Sequence, residues 1–368
     1  MYKYQVKRLL KKQWILLLVI VLTAAAGKLF ALKITQTEGD LTATEQQILD
    51  GYVEETLDLT ADQKLDYIVK KQTSETEKYA ALENPTAEQT ADYNEKSNAQ
   101  SEYKNSLTNV YTLLGVQKYA KTGEGLVSPS LPQNFYETKR AYLDIDEPNV
   151  INEYHYKRFI AMQSYGFLPI FILLTVGIFT ADTFEKRINL QAKISKNSRL
   201  FFKSQEVTLS VFILILLILN TVGDMAVSGL LTHSYELNVP LQSVSDYIFF
   251  PTNMTIGQSI IFLFLLQMFG AFICYHAFTI AAQALKSTRN YMIFGLSIVV
   301  MVTLVARFFP SISPYLVMGI TDKRSVLNAV KYLPKFGASD IFIVLTLCLM
   351  QISGVCVWRF CGYYEKKK

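Results

Sequence analysis

Apolar residues in this chain gather in runs of about twenty, separated by long polar stretches. That is the length at which a helix rising ~1.5 Å per residue crosses a hydrocarbon core of ~30 Å. Six runs read as spans, over residues 14–32, 159–180, 207–231, 256–285, 291–309 and 341–360. A lipid-embedded backbone must satisfy its own hydrogen bonds, so the spans are expected to be helices. The expected fold class is therefore all-α: a polytopic membrane protein with six transmembrane helices and a helical extracellular domain between spans one and two. Hydrophobic residues make up 51% of the chain and mean hydropathy is +0.21, in keeping with that class. The first run continues through Lys28, Leu29 and Phe30 past the small residues Ala24, Ala25 and Ala26. It therefore reads as an uncleaved span rather than a signal peptide.

Charge sets the orientation. Lys3, Lys7, Arg8, Lys11 and Lys12 precede the first span with no acid among them. The connection between spans two and three carries Lys186, Arg187, Lys193, Lys196, Arg199 and Lys203 against Asp182, Glu185 and Glu206. Lys286 and Arg289 lie between spans four and five, and the chain ends Glu365-Lys366-Lys367-Lys368. These regions share the cytoplasmic side, so both termini are expected inside a plasma membrane. Residues 33–158 hold 22 acids and 13 bases, a net of −9, as expected of an outer domain. The loop before span six, with Lys323, Arg324, Lys331 and Lys335, is the exception that span parity still places outside.

The domains expected from this pattern are a cytoplasmic elbow helix over 1–13, the first span over 14–32, and the outer domain over 33–158. The membrane domain covers 159–361, including a cytoplasmic segment over 181–203, and a tail covers 362–368. In the outer domain, residues 45–59, 61–82 and 87–114 show helical spacing, with Ile48, Tyr52, Val53 and Leu57 on one face and Leu65, Ile68 and Val69 on another. Asn84-Pro85 breaks the pattern, Thr86 and Gln89 form a capping-box pair, and Gly115 is expected to end the third helix. The stretch 87–104 is almost wholly polar, so it is expected to project into solvent or meet a partner. Residues 149–158 are expected to run into span two without a break.

Catalytic chemistry has little foothold. The chain has no Gly-x-x-x-x-Gly-Lys-Ser/Thr, no His-Glu-x-x-His and no Gly-x-Ser-x-Gly. The histidines, His155, His233 and His276, are far apart in sequence and read as separate polar contacts; no catalytic, cofactor or metal residues are assigned. Cys274, Cys348, Cys356 and Cys361 lie in or at the ends of spans and read as small apolar filler, with Cys361 also a candidate for acylation. Nucleic-acid binding is not expected, because the basic residues serve topology. Asp224, Gln267, His276 and Gln351 are the candidate intramembrane polar residues, with Asn220 and Arg307 beside them. Asp224 and Arg307 are expected to reach the outer interface, and Gln267 and Gln351 to bond between helices.

On a helix over the cytoplasmic segment, Phe184, Ile188 and Ala192 share one strip, and Leu190 and Ile194 lie nearly opposite. Two apolar strips suit a position between a membrane and a docked protein, or an interfacial helix with no partner. Acids at Asp182 and Glu185 open the segment, and Ser195, Arg199 and Lys203 close it. In this it resembles the coupling helix of the permease subunits of type-2 ABC exporters. Arg187-Ile188 and Lys196 depart from the Gly-Thr and Pro often found there. The basic, amphipathic 1–13 segment resembles that family's elbow helix, and Tyr332-Leu333-Pro334, with Pro310 and Pro314, its re-entrant region. The resemblance implies a bacterial exporter subunit that pairs with a second permease subunit, the same or related. A separate ABC ATPase subunit would dock at the cytoplasmic face, with ATP and Mg bound there and no cofactor on this chain. Phe184, Glu185, Arg187, Ile188 and Arg199 are the residues it assigns to ATPase coupling. The substrate class stays open among peptide, lipid and drug. The alternative reading is a non-enzymatic membrane sensor or immunity protein that binds a ligand through its outer helices.

Overall fold

A computed structural model of the chain describes residues 3–7, 41–124, 148–162, 167–186, 198–248 and 253–309, with 26, 146 and 250 besides. The described residues are all-α. Nine helices are present among them: α1 (Ala43–Glu55), α2 (Ala61–Ala80), α3 (Ala87–Thr122), α4 (Glu153–Ala161), α5 (Phe167–Val176), α6 (Asp182–Glu185), α7 (Ser198–Ser228), α8 (Ile256–Leu285) and α9 (Thr288–Phe308). A π-helical turn, Gly177–Ala181, joins α5 to α6, and three short 3₁₀ turns lie between α7 and α8. The expected first and sixth spans, the Pro310–Pro314 and Tyr332–Pro334 regions, Cys348, Gln351, Cys356, Cys361 and the tail lie outside the described residues, as does most of the 1–13 segment.

The chain divides into two units. One comprises Met1–Lys33, Ile160–Asp224 and Ile261–Lys368, and the other Ile34–Phe159 and Met225–Ile260. In the second unit, three helices start on the same device. Thr42, Thr60 and Thr86 each accept a hydrogen bond from the backbone N–H three residues on, while Glu45, Gln63 and Gln89 reach back to the cap's own N–H. The three helices close over a core of Leu49, Tyr52, Val53, Ile68, Ala99, Tyr103, Leu107 and Val110. Tyr103 shares a 2.7 Å hydrogen bond with Thr56, and its ring meets Tyr52 edge-on. Of the apolar residues expected on α2 only Ile68 is fully buried; Leu65 and Val69 are exposed. The polar first turns of α3 hold no buried residue before Ala99; they meet α2 through the stacked Tyr79 and Tyr93 rings, a Tyr79–Thr90 hydrogen bond and a Lys96–Glu75 ion pair.

Two boundaries differ from expectation. Helix α3 does not stop at Gly115 but runs to Thr122 and ends on Gly123, at φ 74°. A glycine inside a helix costs ~1 kcal/mol relative to alanine, and the buried Leu113 and Val116 on either side of it offset that cost. The run from 149 into span two is broken as well: α4 ends at Ala161 and Met162 is a turn. Residues 163–166, between Met162 and α5, lie outside the described residues.

Helices α7 and α8 belong mostly to the first unit, and over Lys203–Ser228 and Ile256–Leu285 they are long and apolar enough to cross a membrane. Helix α7 sorts its side chains by face. Val207, Val211, Ile215, Ile218 and Val222 are exposed, while Leu209, Ile213 and Leu217 are buried. The core joins those three to Leu173, Val176 and Phe179 before α6 and to Ala271, Cys274, Tyr275, Phe278, Tyr291 and Val299 of α8 and α9. Tyr291 donates to the Leu173 carbonyl at 2.9 Å. Gly295 lets α9 approach α5: a Cβ there would overlap the Leu173 side chain, with Cγ at 3.1 Å. Gly295→Leu is expected to lower the melting temperature of the detergent-solubilised chain through overpacking of about 1–3 kcal/mol. Adding Leu173→Ala should recover part of that loss, and a purely additive double mutant would show that the two positions do not pack on each other.

Candidate functional site

Two of the residues assigned to coupling, Phe184 and Glu185, lie in α6. Asp182–Glu185 make a single helical turn, Lys186 begins the turn that follows, and an ion pair joins Lys186 to Asp182. Residues Arg187 and Ile188 lie outside the described residues, and Phe184 and Arg199 are placed only as helical backbone, in α6 and α7. Arg199 and Lys203, expected to close the segment, lie on α7, whose described residues begin at Ser198. Glu185 is exposed, and its Oε2 accepts from both the Thr288 backbone N–H, at 3.2 Å, and the Thr288 hydroxyl. Thr288 opens α9, so the carboxylate lies where unpaired N–H groups and the helix dipole favour an anion. The Thr288 hydroxyl and then its N–H hold the Glu185 carboxyl below its usual range. The hairpin that bears Thr288 is tight. Helix α8 ends at Leu285, α9 begins at Thr288, and Lys286 between them takes φ 56°, a left-handed conformation that a non-glycine residue rarely adopts.

Among the intramembrane candidates, Asp224 is fully buried, with the Asn220 amide donating to its Oδ2 at 3.3 Å. Gln267 on α8 is also fully buried, and His276 is half-buried beside Tyr275.

A second constellation lies in the unit that holds α1 to α3, and sequence reasoning did not assemble it. His155 and His233 are not separate contacts: their rings stack at 4.4 Å with planes 19° apart. Asp50 of α1 faces both, its Oδ2 lying 3.6 Å from His155 Nε2 and 3.3 Å from His233 Nε2. On the far side of the rings, His155 Nδ1 lies 3.2 Å from Glu236 Oε2, and His233 Nδ1 lies 3.1 Å from the Gly229 carbonyl. Asn152 ties the group together, its backbone N–H donating to Glu236 Oε1 at 3.1 Å and its amide donating to Asp50 Oδ1 at 2.8 Å.

Local backbone chemistry explains how His233 reaches His155. Gly229 ends α7 at φ 92°, a region open mainly to glycine, and a Cβ there would lie 3.0 Å from the His155 ring. Its carbonyl accepts from the backbone N–H groups of Thr232 and His233 and from the Thr232 hydroxyl, which curls the turn back over the histidine pair. The buried groups avoid charge. Burial raises Glu236 above its ordinary range, against the Asn152 N–H that favours the ionised form. Burial likewise lowers His155, against the neighbouring Asp50. Comparisons with protein-family models, with curated proteins and with solved structures each find no match.

Glu236→Gln keeps an acceptor for the Asn152 N–H and is expected to preserve or raise thermal stability at pH 6. Glu236→Ala leaves that N–H unsatisfied and should cost about 1–3 kcal/mol. Equal losses in the two variants would show that side-chain volume, not the accepted bond, matters at this position.

Proposed function

We propose that this chain is the transmembrane permease subunit of an ATP-driven exporter of the type-2 ABC class, a multi-pass protein of the plasma membrane with both termini cytoplasmic. Six apolar runs, their charge polarity and the basic segment between the second and third runs support this reading, and α7 and α8 have the length and apolarity of spans. The observation that carries it is the seating of Glu185 on Thr288. It links the mouth of the basic segment directly to the α8–α9 hairpin. A push on that segment by a docked ATPase would reach α9 through a charge-assisted bond rather than through a loose loop. From α9 the force has a packed route, through Tyr291 and the Gly295 contact, to α5.

In this reading two copies, or two related permease chains, line a pathway in the membrane lipid. The ATPase subunits bind ATP and Mg, and the chain itself performs no chemistry. The α1–α3 unit lies on the outer face, where its acidity favours cationic ligands.

The test is purification of the full chain from its native membrane. A P-loop ATPase without spans is expected to copurify, and Glu185→Lys should lower its recovery on the order of 10-fold while the chain still inserts. A stable chain with no ATPase partner would overturn the assignment and favour a sensor.

A further inference from the structure

Asp50, His155 and His233 offer three ligand atoms, all within 4.8 Å of one another. Two sides of that triangle, 3.3 Å and 3.6 Å, are close to the ~3.4 Å edge expected of a tetrahedron whose ligands lie ~2.0–2.1 Å from the ion. Both are longer than an ordinary N–H···O hydrogen bond of ~2.7–3.2 Å. The Gly229 carbonyl and the Thr232 hydroxyl, each 3.1 Å from His233 Nδ1, hold that nitrogen on the outer side of the ring, so Nε2 is the atom turned toward the Asp50 carboxylate. A carboxylate oxygen and ring nitrogens at these separations can be bridged by a cation, either a ring proton or a metal ion.

The surroundings favour the metal. A ligating histidine almost always gives its other nitrogen to a carboxylate or carbonyl, which fixes the ring. Here His155 has Glu236 and His233 has Gly229 in those places, and Asp50 has the Asn152 amide on its other oxygen. The three ligands come from α1, α4 and the turn after α7, and their outer partners hold them in place independently of any ion.

We propose that Asp50, His155 and His233 form a binding site for one divalent transition-metal ion, best suited to Zn²⁺, with the fourth position open. Two imidazoles and one carboxylate suit zinc better than calcium or magnesium, which take oxygen ligands. The bound ion ties three distant stretches of one unit together, and the open position can take water or a donor group from a ligand. The proposal does not depend on the permease reading.

The test uses the full chain in detergent or nanodiscs, carrying no polyhistidine tag, stripped with EDTA and then titrated with ZnCl₂ or MgCl₂. One Zn²⁺ per chain should survive desalting, and Zn²⁺ but not Mg²⁺ should raise the melting temperature. Glu236→Gln should weaken Zn²⁺ binding on the order of 10–100-fold. His233→Ala, at a half-exposed position, should abolish it, as should Asp50→Asn. Co²⁺ should produce visible absorption that Zn²⁺ displaces. A chain that retains no Zn²⁺, or a His233→Ala variant that binds like the parent, would overturn the site and leave an Asp50–histidine ion pair only.

Discussion

A carboxyl group with no exposed surface constrains everything around it. Glu236 is such a group, and leaving it without partners would cost several kcal/mol. Its two oxygens are taken by the Asn152 N–H and by His155. These bonds fix the segment leading into α4 against the turn that follows α7. Asn152 passes the constraint on to Asp50, and thereby to α1. Three stretches far apart in sequence are thus registered by one buried acid and one amide. Beside them, Tyr156 is fully buried and shares a 2.7 Å hydrogen bond with Ser259 at the start of α8.

The other unit meets the same requirement with shorter-range bonds. Thr175, Thr183, Thr208 and Thr279 each return their hydroxyl to the carbonyl four residues back. Helices rich in apolar residues can carry these hydroxyls because the bond is local and independent of a neighbour. What holds the helices to one another is then close packing, for which Gly295 gives room, and a few longer bonds such as Tyr291 to Leu173. Polarity gathers at the ends of the helices. The Glu185–Thr288 contact is of that kind: a charge at a helix start, where it stabilises the end and locates the hairpin.

Periodic patterns were legible in the sequence and long-range polar contacts were not. The α8 run, helices α1 to α3 and the Thr86–Gln89 cap follow from spacing and local chemistry. The end of α3 was misread because Gly115 was weighed without the buried residues beside it. The histidine pair could not have come from spacing, since helices α5, α6 and α7 all lie between His155 and His233 in the sequence. A usable signal was present in Gly229, four residues before His233, because a glycine closing a helix followed closely by a histidine marks a chain reversal. Glu236 is an acid in a short loop between two apolar runs, and only its burial marks it as structural.

The histidine cluster also differs from metal sites that create the fold around them. In small zinc domains the ligands are brought together only when the ion binds, so binding free energy is folding free energy. Here the Glu236, Asn152 and Gly229 contacts order the ligands from their outer sides, and the tyrosine-rich core of α1 to α3 is built separately. An ion entering such a site meets little ordering cost, and the surplus goes to affinity rather than to folding. A site preorganised in this way acts on the chain by tightening an arrangement already present, which makes stability and ligand affinity, rather than a change of fold, the quantities that metal loading would govern.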